Sequence, residues 1–228
     1  MAQRYGPKIV TDNLIFLVDA ADKNSYPGSG TTWTDLSPSG NNGTLSAAGI
    51  GTVSGSLNTM AFSGTGDYIS TSAVTAGGLH TYSYWAKSDY NERQTIFGHG
   101  TNLKGSFYPW FTAAKPLLHF KNDNFRYWVA QTKTYDGNWH HYAVVVNFSD
   151  VTGCQLYIDG VLIDVSSTAV STYLAYSQGT TIGAYQNTSA GGANLFQGDI
   201  SNFRVFNAEL SAKEVSQNFN AQRSRFGV

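Results

Sequence analysis

The stretch "CQLYIDGVLIDVS", residues 154–166, constrains the fold more than any other. Two runs of alternating apolar and polar residues flank Asp159-Gly160. That dipeptide between such runs is the strongest short-range signal for a β-hairpin with a type I′ turn, because both central residues must take positive φ. The same texture covers nearly the whole chain. "HTYSYWAKS" (80–88), "RQTIFGHG" (93–100), "FYPWFTA" (107–113), "LLHFKN" (117–122), "FRYWVAQ" (125–131), "WHHYAVVVNF" (139–148) and "FQGDISNFRVFN" (196–207) are short strand-like runs separated by turn clusters. Such spacing predicts an all-β sandwich or jelly roll. "LIFLVDA" (14–20) is apolar on both faces and reads as a central strand buried on two sides. "TMAFSG" and "DYIST" read as short strands paired about the "SGTGD" turn, and "SYPGSGTTWTDLSPSGNNGTL" (25–45) reads as loop.

Composition agrees with this texture. Glu occurs only at Glu92, Glu209 and Glu214, while Gly, Ser, Thr, Asn and Tyr abound, a mix that suits strands and starves helices. One helix is expected, over residues 210–222. Ser211 and Glu214 fit a capping box, and Leu210, Val215 and Phe219 offer an apolar stripe for a sheet edge. Arg223 and Arg225 fall in the tail after it, residues 223–228, and residues 1–13 form an N-terminal arm. With 228 residues, 41% of them apolar, and no repeat or linker, the chain reads as a single domain, 1–228.

The charge balance narrows the partners. A formal net charge of -1 with only 13% charged residues builds no basic field for nucleic acid and no polybasic patch for a membrane surface. "LIFLV" is too short to span a bilayer, and polar residues interrupt the start before any signal-type apolar region forms. Synthesis in a cytosol is therefore expected. Cys154, the single cysteine, reads as a small buried hydrophobe.

On a strand His140 and His141 point to opposite faces, so they cannot jointly hold a metal; each is expected to have a structural role with a ring nitrogen bonded to backbone or water. No Gly-x-Ser-x-Gly elbow is present, and the glycine-rich "GSGTTW" and "GHGTNLKG" lack a phosphate-loop ending. Glycoside hydrolysis needs two carboxyl groups flanking the scissile bond, and no strand here presents acids on one face at even spacing. No catalytic residue is assigned, and the chain is expected not to be an enzyme. Aromatics give a better lead. Tyr108, Trp110, Tyr127 and Trp128 stand in a chain rich in Asn and Gln, and sugars are held by flat aromatic faces with a few polar anchors. These four are the candidate glycan contacts, against the alternative that they fill the core.

In order along the chain, "LIFLVDAADKNSYPGSGTTWTDLSPSGNNGTL", "AFSGTGDYIS", "YSYWAKS", "GNWHHYAVVVN", "QLYIDGVLI", "TIGAY" and "FQGDISNFRVFNAELSAKEVSQNFN" resemble the motifs of the laminin G-like, concanavalin A-like lectin/glucanase superfamily. The resemblance implies a jelly roll of two stacked, curved antiparallel sheets whose concave face and loop rims bind sugars or calcium in lectin relatives. Laminarinase-type members use a Glu-x-Asp-x-x-Glu string, which this chain lacks. Relatives often carry an acid before the "VR" of the last strand that contributes to a calcium site; here Ser201-Asn202 stands there. No cofactor is therefore expected, and calcium is left to Asp19, Asp67 or Asp199 through another geometry. The opening, "IVTDNL" to "NNGTL", resembles a subgroup found in structural proteins of tailed bacteriophages. That resemblance implies a non-catalytic virion protein, for capsid decoration, tail or fibre, whose partners are other virion proteins, further copies of itself and host-surface glycans. The alternative is a bacterial carbohydrate-binding module or glucanase-related protein.

Overall fold

The computed structural model describes residues 7–46, 50, 57–72, 78–90, 94–99, 104–110, 115–120, 124–128, 136–147, 151–169, 180–184 and 195–228; for residues 99, 104–110, 115–120, 124–128, 151 and 165–169 it describes the backbone. In chain order the strands are β1 (Leu14–Asp19), β2 (Thr32–Trp33), β3 (Gly43–Leu45), β4 (Met60–Ser63), β5 (Ile69–Thr71), β6 (Leu79–Lys87), β7 (Phe97–His99) and β8 (Lys104–Trp110). They continue as β9 (Lys115–Phe120), β10 (Asn124–Trp128), β11 (Trp139–Asn147), β12 (Gln155–Ile158), β13 (Val161–Ile163), β14 (Val165–Ala169), β15 (Thr180–Ile182) and β16 (Gln197–Phe206), and helix α1 (Ala212–Phe226) follows. Two antiparallel sheets result. A seven-stranded sheet runs β1-β16-β6-β11-β12-β13 with β4 also on β16, and a nine-stranded sheet runs β14-β10-β9-β8-β7-β15-β5-β3-β2.

The hairpin read from Asp159-Gly160 forms as expected. Ile158 pairs with Val161, and the two turn residues sit at φ 51° and 78°. Strand alternation then separates two apolar sets on β11. Tyr142, Val144 and Val146 enter the sandwich interior, while Ala143 and Val145 join Val10, Tyr157, Phe206, Leu210 and Val215 on the outer side. The interior is ring-rich: Tyr84 stacks on Tyr142 at 5.2 Å and on Phe203 at 5.5 Å, and Tyr82 stacks on Phe97 at 4.2 Å. Offset stacks of this kind add to the area each ring buries. Cys154 is fully buried, as expected, with its sulfur accepting the Asn147 N–H at 3.3 Å.

Several local expectations are corrected. β1 is an edge strand, not a central one; Phe16 and Val18 are buried while Ile15 and Leu17 are half-buried. Its apolar look has another cause, because its free edge is capped by chain rather than by a strand. Leu17 donates to Asp35 Oδ1 at 2.8 Å, and Leu36 N–H donates back to the Leu17 carbonyl at 2.7 Å. The segment 25–45 is not all loop, since β2 and β3 form within it; two- and three-residue strands leave no periodicity to read. The turn at Gly64 and Gly66 does not pair β4 with β5. β4 lies on β16 in one sheet and β5 between β3 and β15 in the other, so this segment carries the chain across the sandwich.

The helix begins where its cap predicts. Ser211 Oγ accepts the Glu214 N–H, and Glu214 Oε2 accepts the Ser211 N–H at 2.8 Å. It runs past residue 222 to Phe226, so Arg223 and Arg225 lie in its last turn rather than in a tail. Nothing in "SQNFNAQRSRF" stops a helix, and termination waits for Gly227, whose φ of 75° is the left-handed cap that glycine adopts without a Cβ penalty. Nor does the helix dock on a sheet edge. Phe226 stacks on Trp85 at 4.1 Å and Phe219 at 5.8 Å, which places α1 over the outer face of the seven-stranded sheet. From the N-terminal arm, Val10 is buried beside it and donates to Asn218 Oδ1 at 2.8 Å.

Candidate functional site

With α1 lying over the outer face of the seven-stranded sheet, the outer face of the other sheet is the candidate binding surface. Its polarity follows from register. Trp33, Leu45, Ile69, Ile182 and Phe97 are buried in the interior, so the alternate positions look outward. Thr32 pairs with Thr44, Thr44 with Ser70, Ser70 with Thr181 and Thr181 with Gly98, which lays one row of hydroxyl residues across β2, β3, β5 and β15. Thr32 and Thr44 are exposed, Ser70 is half-buried and Thr181 is buried, so solvent access falls from the sheet edge toward its middle.

The strands expected to supply aromatics extend the same sheet. Phe97, which faces the interior, pairs with Phe107, and the alternation along β8 then puts Tyr108 and Trp110 at outward positions. Leu117 pairs with both Tyr108 and Tyr127, so these two tyrosines stand at one level, one strand apart. Trp128 is the next residue along β10, beyond a bulge against β14, and falls at the alternate position. The backbone thus brings Tyr108, Trp110 and Tyr127 to one face and separates Trp128 from them; the side chains of all four lie outside the described residues. Sequence reasoning missed the hydroxyl row. Its members sit in strands of two or three residues, and "TTW", "GTL" and "IST" carry no signal that sets them side by side.

The two histidines occupy opposite faces, as alternation requires, but their partners differ from the backbone or water expected. His140 Nδ1 meets Asp159 Oδ2 at 2.7 Å and its Nε2 meets Asp136 Oδ1 at 3.2 Å. Burial alone would lower the His140 pKa; the two carboxylates outweigh it and the net direction is upward. Asp159 Oδ1 also accepts the His141 N–H at 2.9 Å, which ties the hairpin turn to β11. His141 is fully buried, with Nε2 at 2.9 Å from Ser83 Oγ. Burial first, and the positive charge of Arg204 second, pull its pKa down to about 3.

The three weak metal candidates do not assemble. Asp19 holds Arg225 through both oxygens at 2.8 and 3.0 Å, Asp67 accepts the Ser63 N–H at 2.7 Å, and Asp199 accepts from Thr59 Oγ1 at 2.9 Å. Among the described residues no three His, Cys, Asp or Glu side chains converge as a metal group would. No helix of the described residues is long and apolar enough to cross a membrane.

Comparison with known proteins places this geometry. The model of the laminin G type described as the concanavalin A-like lectin/glucanases superfamily matches residues 63–216. No curated protein sequence matches the chain. Among solved structures, a botulinum neurotoxin type C chain, described as entering cells through interaction with two ganglioside molecules, superposes with a TM-score of 0.67 at 16% identity, over 93% of this chain and 52% of that one. The binding domain of botulinum neurotoxin DC in complex with rat synaptotagmin II gives 0.67 at 14% identity, over 93% and 52%. Trypanosoma rangeli sialidase gives 0.61 at 15% identity, over 96% and 35%. The chain spans about half or less of the length of these structures, and the likeness is one of fold.

Proposed function

The chain belongs to the concanavalin A-like lectin/glucanases superfamily, and from that premise we propose that it is a non-catalytic recognition module that binds surface glycans through the nine-stranded sheet. One observation carries this reading. The register gathers Tyr108, Trp110 and Tyr127 at outward positions of the sheet that also bears the Thr32, Thr44 and Ser70 hydroxyl row. Aromatic and hydroxyl residues on one sheet face supply the two kinds of contact a sugar needs. The ganglioside-binding neurotoxin among the fold neighbours supports the same direction. The non-catalytic part is supported by the structural engagement of four described acids. Asp19 is engaged with Arg225, Asp35 with loop donors, Asp159 with the histidine strand and Glu214 with the helix cap.

The setting we propose is the virion of a tailed bacteriophage, where repeated copies would turn weak glycan contacts into avidity. Support for it is the resemblance of the opening segment "IVTDNL" to "NNGTL" to phage structural proteins. Two experiments test the proposal. A glycan array should show binding that Trp110→Ala and Tyr127→Ala each weaken while the thermal transition persists; an array without hits, or release of reducing sugar from β-glucans above a buffer blank, overturns the recognition reading. Electron microscopy of purified particles should show copies of this chain, and particles lacking it overturn the virion setting.

A further inference from the structure

Between α1 and the seven-stranded sheet lies a layer of buried polar side-chain atoms. β16 contributes Asn202 and Arg204, β6 contributes Ser83 and Trp85, β11 contributes His141, and the helix contributes Gln222. Register sets Asn202, Trp85 and His141 in one row across three adjacent strands and places Arg204 opposite Ser83 in the next outward row. Phe219 and Phe226 roof the row by stacking on Trp85, and Gln222, three residues after one and four before the other, shares their helix face.

Part of the layer is satisfied. Arg204 Nη1 donates to Asn202 Oδ1 at 2.8 Å, and His141 pairs with Ser83. The rest is not: Trp85 Nε1, Asn202 Nδ2, Arg204 Nε, His141 Nδ1 and Gln222 Oε1 are buried without a partner. The Asn202 amide cannot turn to help, because the turn would set its NH2 against the guanidinium. Charge is unbalanced too. Arg204 is 2% exposed, and Asp19, the carboxylate that attracts it, spends both oxygens on Arg225, a second cation. Burial pulls the Arg204 pKa down only to about 10, so it stays charged at neutral pH.

Buried polar atoms in native proteins find a protein group, a water or an ion, and an uncompensated buried charge is among the costliest features a fold carries. Water answers the N–H donors poorly here. Each water brings two protons of its own, and among the described residues the unpartnered side-chain acceptors of the layer are Gln222 Oε1 and, in one tautomer, His141 Nδ1. An anion brings none and cancels the charge.

We propose that this layer is a binding site for one small monovalent anion of the halide class, held by the N–H groups of Arg204 Nε, Asn202 Nδ2 and Trp85 Nε1. Crystals grown in sodium bromide should give an anomalous peak among these three atoms. In solution, bromide titrated at constant ionic strength against gluconate should raise the thermal midpoint in a saturable way, by roughly 2–4 °C once it exceeds its Kd several-fold. Asn202→Asp supplies a fixed carboxylate beside Arg204 and should stay folded while losing the bromide response; Trp85→Phe keeps the stack and should weaken it. Ordered water in place of the bromide peak, a midpoint indifferent to bromide, or an unchanged response in Asn202→Asp overturns the site.

Discussion

Individual side chains fix this molecule in ways whose signs can be worked out. His141 is neutral when buried, so the unfolded chain binds a proton that the folded chain refuses. Its folded pKa of about 3 lies below the ordinary 6.5, and stability falls as pH drops through that window, by about 1.4 kcal/mol per pH unit from this group. His140 acts in the other sense. Its folded pKa is raised, so the stability it adds is fully present below 6.5 and is lost as pH climbs through the folded value. Urea unfolding between pH 7 and pH 4 should therefore show a steep acid loss that His141→Gln flattens; a profile unchanged by that substitution would place the acid sensitivity elsewhere. Asp35 is a second such residue. Its carboxylate accepts the N–H groups of Leu17, Ser37 and Asn41 and the Ser37 hydroxyl, each at 2.8 Å. Asp35→Ala strands three backbone donors and should cost about 3 kcal/mol in the same assay, with Asp35→Asn costing less because Oδ1 keeps its bonds.

Among the elements, α1 is the piece whose boundaries and docking decide the most. Ser211→Ala should cost about 1 kcal/mol by loss of the cap, read from the urea midpoint. Phe226→Ala removes the ring stacked on Trp85 at 4.1 Å and should cost about 3–4 kcal/mol, with tryptophan emission moving to the red as water reaches the indole. If emission stays put, the helix is held by Phe219 and Val215 without that stack. The start of this helix is legible in "LSAKEV" because a capping box is local chemistry. Its end is less so, since Gly227 carries the signal but the four polar residues 222–225 offer only Phe226 for docking, and only the Trp85 surface makes the last turn worth forming. The hairpin shows the opposite case. Asp159-Gly160 predicts its own turn, because positive φ at both residues is a property of those two residues alone.

At the scale of the whole molecule the helix covers one outer sheet face, and the proposed binding face lies on the other side of the core. Because the sandwich core separates them, substitutions under the helix should not reach the binding face. Phe226→Leu is therefore expected to lower the thermal midpoint while leaving the Kd for any glycan found on the array unchanged; a parallel loss of affinity would mean that the ligand sits on the helix side. The candidate site was half legible beforehand. Tyr108, Trp110 and Tyr127 were identifiable as aromatics in strand-like runs, but only strand pairing sets them on one face, moves Trp128 off it, and joins them to Thr32, Thr44 and Ser70.

By itself the sequence determined the longer strands, the Asp159-Gly160 turn, the helix start at Ser211 and the opposite facing of His140 and His141, all consequences of period-two alternation and contacts between residues close in the chain. Tertiary structure alone decided that β1 is an edge, that β4 and β5 part company, that Asp136 and Asp159 clasp His140, and that Arg204 is sealed under α1. Those outcomes depend on which strands become neighbours and what covers them, and a buried arginine comes to share one carboxylate, Asp19, with Arg225 only once a distant helix has closed over it.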